Sequence, residues 1–333
     1  MDRNDSWPVI AEAIAREPEW LVVGHSIPDG DCIASVIALF LGLSFLGKRV
    51  VAVIEDRVPE TYRYLRCFDS IKRPEAVEGW PTAVVYLDCS DPERVGTKTL
   101  PYLAGCKKVI NIDHHPTNTF FGQFNRVEPK KASTSELVLD LLDEMEVTID
   151  KSIATAIYTG IIMDTGCFQY SNTRPDTLRT AARMLEQGAE LDVIRKSLFE
   201  SRPAIEVRLL QQALSTLSFT EDGKVAWMVL TFDDVIRLNA QDYHFEGLIN
   251  YARFIDGVEV GLLFREIEPG IIKVGFRSKD AVDVNAIAAR FGGGGHLRAA
   301  GARLEGNMED VCQRVIEAVK EVVAGCEKNG MDS

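Results

Sequence analysis

The stretch Val22–Ser35, VVGHSIPDGDCIAS, sets His25, Asp29 and Asp31 within seven residues, directly after a β-like apolar run. Imidazole and carboxylate groups at that density suit a divalent cation. Three further segments repeat the theme. VVYLD ends an apolar run on Asp88; VINID ends another on Asp113 and runs into His114 and His115; GIIMDTG places Asp164 after a long apolar helical pattern. Three of the chain's five histidines lie in these segments. Each feature has an ordinary alternative. Asp31 alone reads as a helix cap, Asp88 as an Asx-turn with Ser90, Asp164 as a helix-end turn, and the histidine pair as a solvated loop. Jointly, those alternatives require four separate element ends to carry metal-type side chains by accident.

Oxygen-rich sites with some imidazole suit Mn²⁺ or Mg²⁺ better than thiolate-seeking zinc. Six such donors exceed the needs of one catalytic ion. Two ions roughly 3.5–4 Å apart, bridged by one carboxylate and water, would use them all. Such a pair clamps the attacking and leaving oxygens of a phosphoryl transfer and turns water into hydroxide at neutral pH. His114 and His115 are adjacent in extended chain, so their side chains are expected to diverge. One is then a ligand, and the other faces the phosphate as donor or acid.

A second cluster lies far along the chain. RFGGGGHLRAAGARL holds Gly292, Gly293, Gly294 and Gly295, followed by His296 and Arg298. Glycines let backbone N–H groups approach an anion closely, and a helix start after them would add a favourable dipole. GFRSK brings Arg277 and Ser278 to another strand end. Together these residues suggest a phosphate or nucleotide clasp facing the first lobe. Tyr243, Tyr251, Phe276 and Phe291 are candidates to stack on a base, although core packing explains each more simply.

The elements that must position these groups read as α/β. LVVGH, RVVAVIE, TAVVYLD and KKVINID are short continuous apolar runs, the pattern of parallel strands covered on both faces. Helical patterns cover Cys32–Leu46, Ser133–Met145, Asp150–Met163 and Arg174–Gln187, the last framed by Thr173 as N-cap and Gly188 as stop. Leu191–Leu217 reads as a helical connector. Beyond it KVAWMVLT, VEVGLLFRE and IIKVGFRS are strand-like, while VNAIAARFG and the segment after Met308 are helical, giving a second α/β lobe. Ligands of open α/β sheets bind outside the carboxyl ends of the strands, where the unusual residues fall.

With 333 residues, 46% hydrophobic and 26% charged, two globular domains are expected. The net charge of −13 argues against a generic grip on duplex phosphates, so a nucleic-acid substrate should be small and held locally. The seven cysteines form no Cys-x-x-Cys pair, which fits free thiols in a reducing cytoplasm. The N-terminus does not read as a signal peptide. The longest apolar run, CIASVIALFLGLSFLG, reads as a buried helix rather than a membrane span.

GHSIPDGDCIAS, the Asp88 strand end, DHH at 113–115 and GIIMDTG resemble, in order, the motifs of the DHH phosphoesterases. GFRSK with GGGGHLRAAG resembles their C-terminal DHHA1 domain. The resemblance spans essentially the whole chain. Size and the lack of extra domains favour the nanoRNase branch, which hydrolyses short oligoribonucleotides and 3′-phosphoadenosine 5′-phosphate (pAp). It implies a DHH catalytic domain over 1–190, a helical connector over 191–218 and a DHHA1 substrate-binding domain over 219–328. It further implies that His25 and Asp29 bind one Mn²⁺, that Asp31, His114 and Asp164 bind another, and that Asp88 bridges them. Asp113 would orient its neighbours and His115 would contact the scissile phosphate. Arg277, Ser278, Gly293, Gly294, Gly295, His296 and Arg298, joined by Arg253, would hold the far end of the substrate. The rival readings are a RecJ-like single-strand exonuclease, a linear- or cyclic-dinucleotide phosphodiesterase, an inorganic pyrophosphatase and a catalytically dead nucleotide-binding regulator. The further expectations are a homodimer, short RNA, pAp and pApA as the candidate substrates, and Mn²⁺ or Mg²⁺ as the metal.

Overall fold

The apolar runs of the first half form the centre of a six-stranded parallel sheet. Strands β1 (Glu19–Val23), β2 (Arg49–Val53), β3 (Ile71–Lys72), β4 (Ala83–Leu87), β5 (Lys108–Asp113) and β6 (Phe124–Val127) lie in the order β3-β2-β1-β4-β5-β6. Every neighbouring pair is parallel. The computed structural model describes residues 3–201, 203–240, 245, 247–279 and 282–330, without the side chains of His296 and of 327–330. The chain divides into two units, Met1–Ser201 and Arg202–Ser333.

Side chains alternate across a strand, and both faces of this sheet are covered. Trp20, Val22, Val85, Leu87, Ile110 and Ile112 enter one core. Leu21, Val23, Val51, Val53, Val84 and Tyr86 enter another on the opposite face. Burial on both faces is why these strands read as unbroken apolar runs. The larger core is roofed by α1 (Trp7–Ala15), α2 (Gly30–Phe45), α4 (Thr134–Glu144) and α5 (Lys151–Asp164); α3 (Leu100–Leu103) lies against the smaller one. Helix α2 is buried almost all round, as expected for a helix with no polar stripe. Helices α6 (Pro175–Glu186) and α7 (Leu191–Leu198) complete the unit. Because β2 and β4 flank β1 on opposite sides, the connection order reverses at the carboxyl ends of β1 and β4, the place where such sheets leave a ligand crevice.

The cap alternative for Asp31 is ruled out, and the expected Thr173 cap is corrected. Asp29, not Asp31, caps α2, its carboxylate accepting from the N–H groups of Asp31 (3.1 Å) and Cys32 (3.0 Å). That frees Asp31 for other partners. Thr173 does not cap α6; Arg174 holds that position and Pro175 starts the helix, where its missing N–H costs nothing. The helical stretch after Leu191 is two helices, α7 and α8 (Ala204–Ser215), parted before Ala204 by Pro203, which no helix interior accommodates.

The second unit is built on strands β7 (Ser218–Phe219), β8 (Val225–Leu230), β9 (Val260–Glu268), β10 (Ile271–Ser278), β11 (Gly294–His296) and β12 (Ala299–Glu305), with α9 (Phe232–Arg237), α10 (Asn250–Arg253), α11 (Val284–Ala289) and α12 (Met308–Gly330). The order is β11-β12-β10-β9-β8-β7, antiparallel except for the parallel pair β8 and β9. Val311, Val315, Val319 and Val323, spaced by four, give α12 one apolar stripe, which packs with Leu262, Phe264, Val274 and Phe276. Among the described residues no helix is long and apolar enough to cross a membrane. All seven cysteines are free thiols.

Candidate active site

Three neighbouring strands deliver the chemistry of the first unit. His25 follows β1, Asp88 follows β4, and Asp113 closes β5 with His114 and His115 just beyond. Asp31 arrives on the first turn of α2, and Asp164 is the last residue of α5. A carboxylate at a helix C-terminus opposes the partial negative charge there. Asp164 is therefore poorly placed unless a cation stands near it.

Asp88 is the hub. Its Oδ2 lies 3.4 Å from His25 Nε2, and its Oδ1 lies 3.6 Å from both His114 Nε2 and His115 Nδ1. His25 Nε2 is 3.7 Å from Asp29 Oδ1, and His114 Nε2 is 3.4 Å from Asp164 Oδ2. These separations exceed good hydrogen bonds. They approach the ~3 Å spacing of adjacent donors on one ion with bonds of about 2.1 Å. Three groups bring donor atoms within 4.8 Å of one another: His25, Cys32 and Asp88; Asp88, His114 and His115; Asp31, His114 and Asp164. Asp88 has φ 60° and is almost fully buried, a left-handed backbone that an aspartate tolerates better than most residues.

Electrostatics point the same way. Burial, with the charges of Asp88 and Asp164 adding to it, pushes the Asp31 carboxyl well above the usual range. Burial raises Asp164 to about 6 against the pull of His114, with Asp88 contributing to the rise. Crowded, desolvated carboxylates of this kind are neutralised by protons or by a metal ion. The donor set is oxygen with imidazole, the chemistry of a hard or borderline divalent cation. The residues fit the metal centre that the sequence implies.

His115 differs from the other histidines. Its Nδ1 is 2.7 Å from Asp113 Oδ1, and Asn118 Nδ2 donates to Asp113 Oδ2 at 2.6 Å. Burial works against the Asp113 charge, yet the bonds from His115 and Asn118 hold its carboxyl below the usual range. The Asp113 bond in turn raises His115 to about 9, which favours a charged, donating imidazole at neutral pH. The expected divergence of the two histidines is not observed: their rings stand 4.7 Å apart at 63°, and both approach Asp88 Oδ1. The chain leaves β5 at Asp113, so strand alternation no longer applies, and Asp113 pulls His115 back.

Sequence reading missed three kinds of neighbour. Cys32 joins His25 and Asp88 but sits in an apolar helical run that masks it. Asn118 locks Asp113 from a loop. Thr134 and Ser135 contact Asp31 and Asp88 from the start of α4, where Ser and Thr read only as caps. In the ordinary capping role, Ser133 Oγ accepts from Glu136 N and Glu136 Oε2 accepts from Ala132 N.

The basic residues of the second unit form a separate group. Arg277 ends β10 beside Ser278. Burial, with the neighbouring charge of Arg253, lowers the Arg277 guanidinium below its usual value. Arg253 Nε is buried and lacks a hydrogen-bond partner, and its guanidinium lies 4.9 Å from the Phe254 ring centre. Among the described residues no carboxylate pairs with Arg253 or Arg277. Ser278 is buried and its hydroxyl donates to Val282 O at 2.7 Å; Arg298 Nη1 donates to the same oxygen at 2.9 Å. The glycine run departs from expectation, because no helix start follows it. Gly294, Gly295 and His296 form β11, paired with Gly301, Ala300 and Ala299 of β12. A side chain on Gly295, at φ 153°, would come within 2.5 Å of Ala299 O. Close strand approach therefore accounts for that glycine. The side chain of His296 and all of Tyr243 lie outside the described residues.

Comparison with known proteins gives matches over both units. The profile of the "DHH family, N-terminal domain" matches residues 19–161, and that of the "DHHA1 domain" matches 224–325. The chain is 38% identical over 318 residues to the bifunctional oligoribonuclease and PAP phosphatase NrnA of Thermus thermophilus, covering 94% of this chain and 93% of that protein. It is 28% identical over 286 residues to the protein of the same name from Bacillus subtilis, covering 84% of this chain and 87% of that one. An exopolyphosphatase-related protein from Bacteroides fragilis has a similar structure, with a TM-score of 0.87, 25% identity and 95% of each chain covered.

Proposed function

The chain belongs to the DHH phosphoesterases that carry a DHHA1 domain, together with the NrnA proteins, and from that premise we propose that it hydrolyses very short oligoribonucleotides and pAp. The observation that carries the proposal is the sharing of Asp88, one carboxylate oxygen toward His25 and the other toward His114. Family membership makes the enzyme a metal-dependent hydrolase. The proposed metal is Mn²⁺, with Mg²⁺ as the weaker substitute, because imidazole accompanies oxygen in the donor set. His25 and Asp29 would hold one ion, Asp31, His114 and Asp164 the other, and Asp88 both. When bound, such a pair supplies Lewis acidity toward phosphoryl oxygens and hydroxide at neutral pH.

The protein's own groups do the rest. His115, charged and held by Asp113, donates to the scissile phosphate. That bond strengthens as negative charge develops on the phosphoryl oxygens and the leaving oxygen. Asp113 stays ionised and fixes the ring. In the second domain Arg253 and Arg277 hold the phosphate or sugar at the far end of the substrate, with Ser278, Gly293, Gly294, Gly295, His296 and Arg298 shaping that clasp. The proposed division is a catalytic domain over 1–190, a helical connector over 191–218 and a substrate-binding domain over 219–328, working in the cytoplasm.

A panel of a diribonucleotide, pAp, pApA, pyrophosphate and a 24-nucleotide RNA with Mn²⁺, read by product analysis, tests the proposal. The diribonucleotide and pAp should be turned over, with kcat/KM on the 24-mer far lower, because an acidic chain offers no long basic track. Equal efficiency on the 24-mer would replace this reading by an exonuclease, and turnover of pyrophosphate alone would replace it by a pyrophosphatase.

Arg277→Ala should leave the metal content unchanged and lower kcat/KM on the diribonucleotide about ten- to a hundredfold. A hydrogen bond to a charged group is worth about 1.5–3 kcal/mol, and a guanidinium grips phosphate bidentately. A small aryl phosphate diester, which has no far end, should be much less affected. Unchanged dinucleotide kinetics would remove Arg277 from the clasp.

A further inference from the structure

We propose that Thr134 is a positioning residue for the metal centre. With Ser135 it makes the start of α4 a cradle that holds the Asp31 and Asp88 carboxylates in fixed orientation. This inference rests on the two-ion reading above.

The first backbone N–H groups of a helix have no partner within it. In α4, Ser133 takes care of Glu136 N. Those of Thr134 and Ser135 are left, and both point at Asp31: Thr134 N donates to Oδ2 at 2.6 Å and Ser135 N to Oδ1 at 3.0 Å. Side chains extend the grip. Ser135 Oγ donates to Asp31 Oδ1 at 2.6 Å, and Ser35 Oγ lies 3.3 Å from the same oxygen. Asp31 Oδ1 is thereby saturated, while Oδ2 accepts one bond and keeps a lone pair for a cation. Thr134 Oγ1 donates to Asp88 Oδ1 at 2.9 Å. One residue therefore touches two proposed ligands, through its backbone to Asp31 and through its hydroxyl to Asp88.

The consequence for Asp88 is specific. Its two oxygens face opposite sides, Oδ2 toward His25 and Oδ1 toward His114. A carboxylate serves two ions only while its plane is held in that orientation, and the Thr134 hydroxyl holds its Oδ1 with a 2.9 Å hydrogen bond. The surroundings leave the cradle little freedom. Thr134, Ser135 and Ser35 are fully buried. α5 presses against them at Gly160, where a methyl group would fall on Ser135 Oγ and within 2.6 Å of Asp31 Oδ1. Groups that orient metal ligands from behind typically govern metal affinity by ten- to a hundredfold.

Mn²⁺ titration of metal-stripped protein, followed by the electron paramagnetic resonance of free Mn²⁺, separates the possibilities. Wild type should bind two ions. Thr134→Val keeps the shape and the N–H bond to Asp31 but removes the hydroxyl, and should bind the weaker ion about ten- to a hundredfold less tightly. Thr134→Ser restores the hydroxyl without the methyl and should titrate like wild type. Circular dichroism of each metal-free variant checks the fold; if Thr134→Val does not fold, Thr134→Ala is read in the same way. Wild type that fails to take up two ions would end the two-ion reading itself. Two ions in wild type, with unchanged affinities in the variant lacking the hydroxyl, would overturn the role of Thr134 alone. Equal losses in Thr134→Ser and Thr134→Val would also overturn it, since packing of the methyl would then be the cause.

Discussion

Asp88→Asn is expected to lower kcat/KM by about 10³-fold or more, roughly 4 kcal/mol of lost transition-state stabilisation, and to deplete both metals. The amide keeps the shape of the carboxylate but offers one oxygen and no charge, so it cannot serve two ions. Asparagine is also the replacement that suits the backbone, since φ 60° at this position is tolerated by Asn and Asp and strained for most others. The loss should therefore not come from unfolding. The Asp88 charge is among the causes that raise Asp31 and Asp164, and removing it relieves repulsion among buried groups. The metal-free variant should be at least as stable as metal-free wild type. Metal analysis, denaturant unfolding in chelator and kinetics on a diribonucleotide check the three parts. Normal metal content with normal turnover would reduce Asp88 to a turn residue.

The contrast between what could be read and what could not is physical. Strands β1, β4 and β5 are legible because both faces are buried, which leaves LVV and AVVYL without a polar interruption and VINI with the buried Asn111 alone. The chemical groups were legible because a parallel sheet places its ligands at strand ends, and His25, Asp88 and Asp113 follow those runs directly. The cradle was not legible, since Thr134 and Ser135 meet Asp31 across more than a hundred residues of chain. Locally they satisfy every rule for a helix start. The closeness of the His114 and His115 rings is hidden for a similar reason. The orientation of His115 is set by a hydrogen bond to Asp113 and not by the strand period. The glycine run looked like a phosphate loop because glycine spacing cannot distinguish a loop from a strand lying close to its neighbour; the pairing of β11 with β12 decides that. Asp31 carries a cap as its ordinary alternative in the sequence because two aspartates compete for one helix start. The chain gives that task to Asp29, and Asp31 is turned toward α4.

Metal removal is expected to abolish hydrolysis and also to destabilise the first domain. Asp31 and Asp88 are almost fully buried, and Asp164 joins them at a helix end whose dipole repels it. Among the described residues no lysine or arginine pairs with any of the three, and the charge-compensating groups beside Asp88 and Asp164 are imidazoles. A divalent ion bound to the folded state alone adds stability by mass action, about 2.7 kcal/mol per site at a hundred times its dissociation constant. Stripped protein should therefore unfold at lower temperature, and Mn²⁺ should raise the midpoint in proportion to the logarithm of its concentration. Mn²⁺ should restore turnover more fully than Mg²⁺, because imidazole nitrogen at His25 and His114 suits the softer ion. Scanning calorimetry and kinetics on the same metal-stripped sample, with each ion added back, give both readouts. Full activity in excess chelator on stripped protein would sink the metal mechanism. A midpoint that does not respond to Mn²⁺ would mean that hydrogen bonds already compensate these carboxylates.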